Sequence, residues 1–143
     1  MIVLDTNVVS ELMRNEPERN VISWTDQQES STLYLAAFTL AEIRFGLACM
    51  PAGRRQETLS TVFETGIRPL FADRILPFDE AATREYARLR ASARARGTAL
   101  SDADAIIAAT SSAHRFAVAT RDVSPFESAG LRVINPFDPH AES

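Results

Sequence analysis

Short apolar runs separated by stretches with helical spacing decide what this chain can become. Ile2 to Leu4, Leu33 to Ala36, Ile75 to Phe78, Phe116 to Ala119 and Arg132 to Ile134 read as strands. Pro77 restricts the third to a sheet edge, because proline cannot donate to a ladder. Between them lie helical patterns. Val8, Val9 and Leu12 share one side of the first, and Pro17 interrupts it. Val21, Ile22 and Trp24 mark a second, with Trp24 expected in the core. Thr39 to Met50 is a third, stopped by Pro51, and Gln56 to Ile67 a fourth. Asp79 fits the N-cap of a long helix through Arg96, with Gly97 as its C-terminal cap. Ser101 to Ala113 is a further one. Such alternation predicts an α/β fold: a mainly parallel sheet of about four to five strands with helices on both faces. The 143 residues suffice for one domain, 1–143, with no linker to divide them.

A parallel sheet places its functional crevice at the carboxyl ends of its strands. Reactive residues are therefore expected just after strands or early in the following helices. Four acids meet that demand. Asp5 follows the first strand, Glu42 falls in the first turn after the second, Asp104 opens the helix from Ser101, and Asp122 follows the strand ending near Thr120. Each also has a purely structural reading. Thr39-Leu40-Ala41-Glu42 has the form of a capping box, and Ser101-Asp102-Ala103-Asp104 nearly so. Asp5 with Thr6 and Asn7 could be a strand-to-helix turn, and Asp122 could cap a turn. The set carries the functional case. Clustered like charges raise one another's pKa, and a divalent cation reverses that cost. Oxygen ligands without clustered His or Cys favour magnesium or manganese over zinc. His114 and His140 share no ligand spacing. On helical geometry Asp102 points about 200° away from Asp104, so only Asp104 is assigned to the site. Asp104 shares its sector with Ser111, and Asp102 shares its sector with Ile106, Ala109 and Ala113.

Composition narrows the chemistry further. All 15 basic residues are arginine. Without lysine there is no Walker-type phosphate loop and no Schiff-base catalysis. The net charge of -4 opposes general nucleic-acid binding, although Arg84, Arg88, Arg90, Arg94 and Arg96 crowd one segment. That run reads first as a solvated helix face and second as an RNA contact. A single cysteine, Cys49, and the absence of an apolar run near 20 residues point to a reducing cytoplasm and no membrane. The short opening Met1 to Leu4 does not read as a signal peptide.

Taken in order, the motifs resemble those of the PIN-domain family. Ile2-Val3-Leu4-Asp5-Thr6-Asn7 looks like the opening of such domains. Leu40-Ala41-Glu42-Ile43-Arg44-Phe45-Gly46 is similar to their second acidic motif, Asp104-Ala105-Ile106-Ile107-Ala108-Ala109-Thr110 to the third, and Ala119-Thr120-Arg121-Asp122 to the fourth. Length and motif style are most similar to toxins of the VapC and FitB type. The resemblance implies an endoribonuclease requiring magnesium or manganese, with Asp5, Glu42, Asp104 and Asp122 as metal and catalytic acids. It implies Thr6, Asn7 and Thr120 as polar support, an RNA substrate, a homodimer and a cognate antitoxin. Electrostatics adds that an antitoxin would block the acids with an arginine-bearing segment. Two other classes are compatible with parts of the pattern. One is an aspartate-based phosphatase, against which stand Asn7, where a second acid would be needed, and the missing lysine. The other is a catalytically silent binding module on the same fold.

Overall fold

The computed structural model describes residues 1–142. It contains a five-stranded sheet in the order β3-β2-β1-β4-β5, parallel throughout. The strands are β1 (Ile2–Leu4), β2 (Leu33–Ala36), β3 (Ile75–Leu76), β4 (Ala117–Ala119) and β5 (Val133–Ile134). The helices are α1 (Thr6–Leu12), α2 (Arg19–Asp26), α3 (Ala37–Ala48), α4 (Arg54–Thr61), α5 (Glu80–Arg96), α6 (Asp102–His114) and α7 (Val123–Ser128). The expected α/β architecture is thus present, and β3 does occupy an edge with Pro77 beyond it.

Strand periodicity sorts the core into two layers, since alternate side chains point to opposite faces. Ile2, Leu4, Leu33, Leu35, Ala117 and Ala119 pack with Val8, Val9, Trp24, Leu40, Ile43 and Phe63. Val118 instead meets Leu89, Ile107 and Phe126, while Val3 and Ala36 pack with Leu76. Every strand position is therefore used, and the runs are apolar on both faces. Trp24 is in the core as expected, and its Nε1–H donates to the Glu142 carbonyl at 2.9 Å.

Local signals placed several boundaries well. Asp79 caps α5 by accepting the Ala82 amide at 3.0 Å, and Gly97 ends the helix in the left-handed region at φ 67°. Several expectations require correction. β3 ends at Leu76, before Pro77, and α7 was not expected from the sequence. The fourth helix begins at Arg54 rather than Gln56, and from Val62 to Ile67 it widens to π-helical pitch. The third helix begins at Ala37, so Thr39 is not its cap and Glu42 lies in its second turn. Nothing between β2 and α3 breaks the chain, and the helix starts as soon as the strand ends. Among the described residues no helix is long and apolar enough to cross a membrane.

Candidate metal centre

The strand order reverses direction around β1: β2 and β3 lie to one side, β4 and β5 to the other. That is the switch point at which open α/β sheets form their crevice. Asp5 leaves the sheet there, and its backbone N–H donates to the Ala119 carbonyl at 2.9 Å. β1 and β4 are thereby tied at the level where both deliver acids.

Asp5 is 6% exposed and caps α1. Its Oδ1 accepts the Thr6 amide at 2.8 Å. Its Oδ2 accepts the Thr120 hydroxyl at 2.8 Å and the Asn7 amide nitrogen at 3.3 Å. Asn7 also donates to Thr120 Oγ1 at 3.1 Å and accepts the Arg121 amide at 3.2 Å. Thr120 Oγ1 in turn accepts the Asp122 amide at 3.0 Å. A hydrogen-bonded lattice therefore fixes the Asp5 carboxyl and the start of the Asp122 loop together. Even so, burial pushes the Asp5 pKa up to about 6. The bonds from Thr120 and Thr6 oppose that shift, and the charges of Asp104 and Glu42 add to it.

Glu42 joins from β2's side. Its Oε1 accepts the Thr6 hydroxyl at 2.6 Å, a link across 36 positions of sequence. Thr39, fully buried, lies 3.5 Å from the same hydroxyl. The capping-box explanation of Glu42 falls with the earlier helix start. Asp104 is half-buried in the first turn of α6, where Ser101 Oγ accepts its amide at 3.1 Å. Burial raises its pKa, the Ser101 contact opposes the rise, and the nearby Asp122 charge supports it. Asp122 is exposed and precedes α7 without capping it through its side chain.

The four acids are thus coupled as neighbours: Asp5 senses Asp104 and Glu42, and Asp104 senses Asp122. Among the described residues none of the four forms an ion pair. Asp102 contrasts with them. It lies at the surface, accepting the Tyr86 hydroxyl at 2.7 Å and pairing with Arg90. The separation of Asp102 from Asp104 stands, but two supporting details differ. Asp102 does not share the buried side of Ala109 but is tied to α5 at the surface, and Ser111 is fully buried with its hydroxyl donated to the Ile107 carbonyl at 2.8 Å.

The acidic groups of this site are all carboxylates. His114 ends α6, the helix that Asp104 opens, and His140 lies in the C-terminal segment. Among the described residues no three carboxylate, imidazole or thiolate groups close on one point as a ready-made cage. Carboxylate oxygens are the donor type that a hard ion such as magnesium prefers. Mutual repulsion between acids that lack a cation is the physical reason such an ion would be held.

One neighbouring feature escaped sequence reasoning. Glu11, 5% exposed, is bonded by Arg14 at 3.1 Å and by Arg121 at 3.4 Å. Arg121 also pairs with Glu18 at 3.3 Å and stacks on the Phe137 ring at 3.8 Å. This clamp braces the Thr120–Asp122 loop from outside. Glu11 and Arg121 are 110 positions apart, and no local motif joins them.

Comparison with known proteins identifies the family and the fold. A family model described as the PIN domain matches residues 2–130. The chain is 55% identical over 139 residues to VapC ribonuclease Y4jK of Sinorhizobium fredii, covering 97% of this chain and 99% of the relative. It is 44% identical over 137 residues to Toxin FitB of Neisseria gonorrhoeae, covering 96% and 99%. The crystal structure of FitAcB from Neisseria gonorrhoeae superposes with a TM-score of 0.91 at 44% identity, over 96% of this chain and 99% of that one. VapBC2 from Rickettsia felis, bound to a promoter DNA fragment, shares the fold with a TM-score of 0.76 at 19% identity, over 93% of this chain and 97% of that one.

Proposed function

The chain belongs to the PIN-domain family, and from that premise we propose that it is a divalent-metal-dependent endoribonuclease, the toxin of a toxin–antitoxin pair. The observation that carries the proposal is the set of coupled, unpaired acids at the switch point: Asp5, Glu42, Asp104 and Asp122. The relatives named VapC ribonuclease and Toxin FitB support the same reading.

Magnesium or manganese held by these carboxylates would activate a water and stabilise charge on a phosphoryl oxygen. The chain's own residues do the positioning. Thr120, Asn7 and the Thr6 amide hold the Asp5 carboxyl in one orientation. The Thr6 hydroxyl holds Glu42. The raised pKa of Asp5 means that emptying the site leaves a carboxyl that readily takes up a proton, so metal and proton compete for it. The substrate phosphodiester is attacked by water, with no side chain becoming covalently attached.

Solved relatives are toxin–antitoxin complexes, among them FitAB bound to an IR36 DNA fragment. The proposed partner of this chain is a small antitoxin whose arginine enters the acid cluster, since a planar guanidinium binds carboxylates bidentately. A homodimer working in the cytoplasm completes the proposal. Sedimentation at high micromolar concentration should give twice the chain mass of 15.7 kDa. The decisive test is incubation of partner-free protein with end-labelled RNA. Cleavage with magnesium that stops in excess EDTA is expected. Undiminished cleavage in EDTA would refute the metal role, and no cleavage with either ion would refute the nuclease.

A further inference from the structure

A groove of about 1070 Å³ runs between α1, α3 and α4 and includes the site residues Thr6 and Glu42 in its lining. Ile43 and Leu47 contribute apolar surface to it; Arg14, Arg54 and Arg55 line it with positive charge, and Glu16 and Glu42 with negative charge. Arg14 is tied to Glu11. Arg54 and Arg55 are exposed and make no hydrogen bond or ion pair among the described residues.

The arginines of α5 differ. Arg84, Arg88 and Arg90 are held by Glu80, Glu85 and Asp102, and Arg96 by the Ser128 carbonyl. Helix α5 does not line the groove. Three of the five arginines in the crowded segment thus have an acidic partner on α5 or α6, whereas neither member of the sparser pair beside the acids has one.

A polyanion faces an electrostatic problem here. The chain carries a net charge of -4, and the acids repel phosphate. A strand stays in place only if positive charge close by holds its flanking phosphates, the sequence-independent part of nucleic-acid affinity. Resting on the nuclease reading above, we infer that Arg54 and Arg55 grip the backbone of single-stranded RNA beside the scissile bond. The groove between α1, α3 and α4 is the strand's path. Guanidinium groups suit phosphate through bidentate hydrogen bonds.

The test uses the full chain and a labelled single-stranded RNA of mixed sequence. Binding is measured by fluorescence anisotropy in EDTA across a salt series, and cleavage separately with magnesium. R54A/R55A should weaken binding about tenfold and flatten the salt dependence by about 1.4 logarithmic units per decade, or about 0.7 for each phosphate that the variant leaves unneutralised. In cleavage the loss should appear in KM, with kcat unchanged. R54K/R55K should keep most of the affinity, because the charge remains. R84A/R88A on α5 should bind like wild type. Unchanged affinity and salt slope in R54A/R55A would overturn the inference, as would an equal loss in R84A/R88A. An arginine pair needed only to capture an acidic partner protein, and not RNA, would overturn it too. The two readings fail separately. Wild-type cleavage with an indifferent arginine pair removes the groove alone. RNA binding lost in R54A/R55A, with no cleavage by wild type, removes the nuclease alone.

Discussion

Asp102 and Asp104 stand two residues apart on α6, and their surroundings are opposite. At the seam between α5 and α6, Asp102 is solvated, hydrogen-bonded by Tyr86 and paired with Arg90, which hold its pKa below the usual carboxylate range. At the strand ends, Asp104 is half-buried, faces Asp122 and is raised. The same contrast holds more widely. Glu64 and Glu85 have arginine partners that lower their pKa, whereas Asp5, the most enclosed of the cluster, is pushed up to about 6. An acid placed for stability is given a cation by the fold. Under the proposed function, the acids left without one receive it from outside.

The largest effect expected from this contrast is at Asp5. Asp5→Asn keeps the shape of the side chain and removes its charge. Cleavage of labelled RNA should fall to background while circular dichroism stays that of the folded protein. A variant that is folded and fully active would break the distinction. Asp104→Asn should follow closely, with both cleavage and metal affinity reduced. Asp102→Asn should leave cleavage as in wild type, because its neighbours belong to the seam. Loss of activity in Asp102→Asn with activity retained in Asp104→Asn would reverse the assignment.

A smaller effect appears in stability without metal. The folded-state pKa of Asp5 lies above its ordinary value of 3.8. The folded form therefore binds the proton more tightly than the unfolded chain does. Its contribution is fully present below about pH 3.8 and is lost as pH rises through about 6. The difference is on the order of 3 kcal/mol, in the opposite sense to the usual carboxylate. Chemical denaturation of metal-free protein between pH 4 and 7.5 should show it as the difference between wild type and Asp5→Asn. Wild type should lose stability relative to the variant as pH rises through about 6, and magnesium should stabilise wild type the more. Equal pH dependence of the two would show that Asp5 carries no such penalty.

How much of this was legible in the sequence depended on how far each signal reached. Asp5, at the end of an apolar run, and the caps Asp79, Gly97 and Ser101 depend on neighbours within a few residues, and they were placed correctly. Glu42 was placed near the site, but its Thr39-to-Glu42 spacing imitated a cap. Only the strand-to-helix junction at Ala36 and Ala37 shows that the helix had already begun. The side-chain partners of Asp102 come from α5, and Glu11 and Arg121 meet across 110 positions. Sector geometry on a single helix could not find them. Ser111 misled for a related reason. A buried serine can satisfy its hydroxyl on its own helix, so a polar residue did not mark a polar face. The arginine cluster on α5 was conspicuous in sequence, yet ion pairs from neighbouring turns and from α6 hold Arg84, Arg88 and Arg90.

The central claim is that the unpaired acids at the switch point form a cation site. Its most direct test is manganese binding, followed by the loss of the free-ion electron paramagnetic resonance signal on titration with purified protein. Wild type and Asp102→Asn should bind alike, and Asp5→Asn should leave the ion free. Undiminished binding by Asp5→Asn, or equal loss in Asp102→Asn, would contradict the claim.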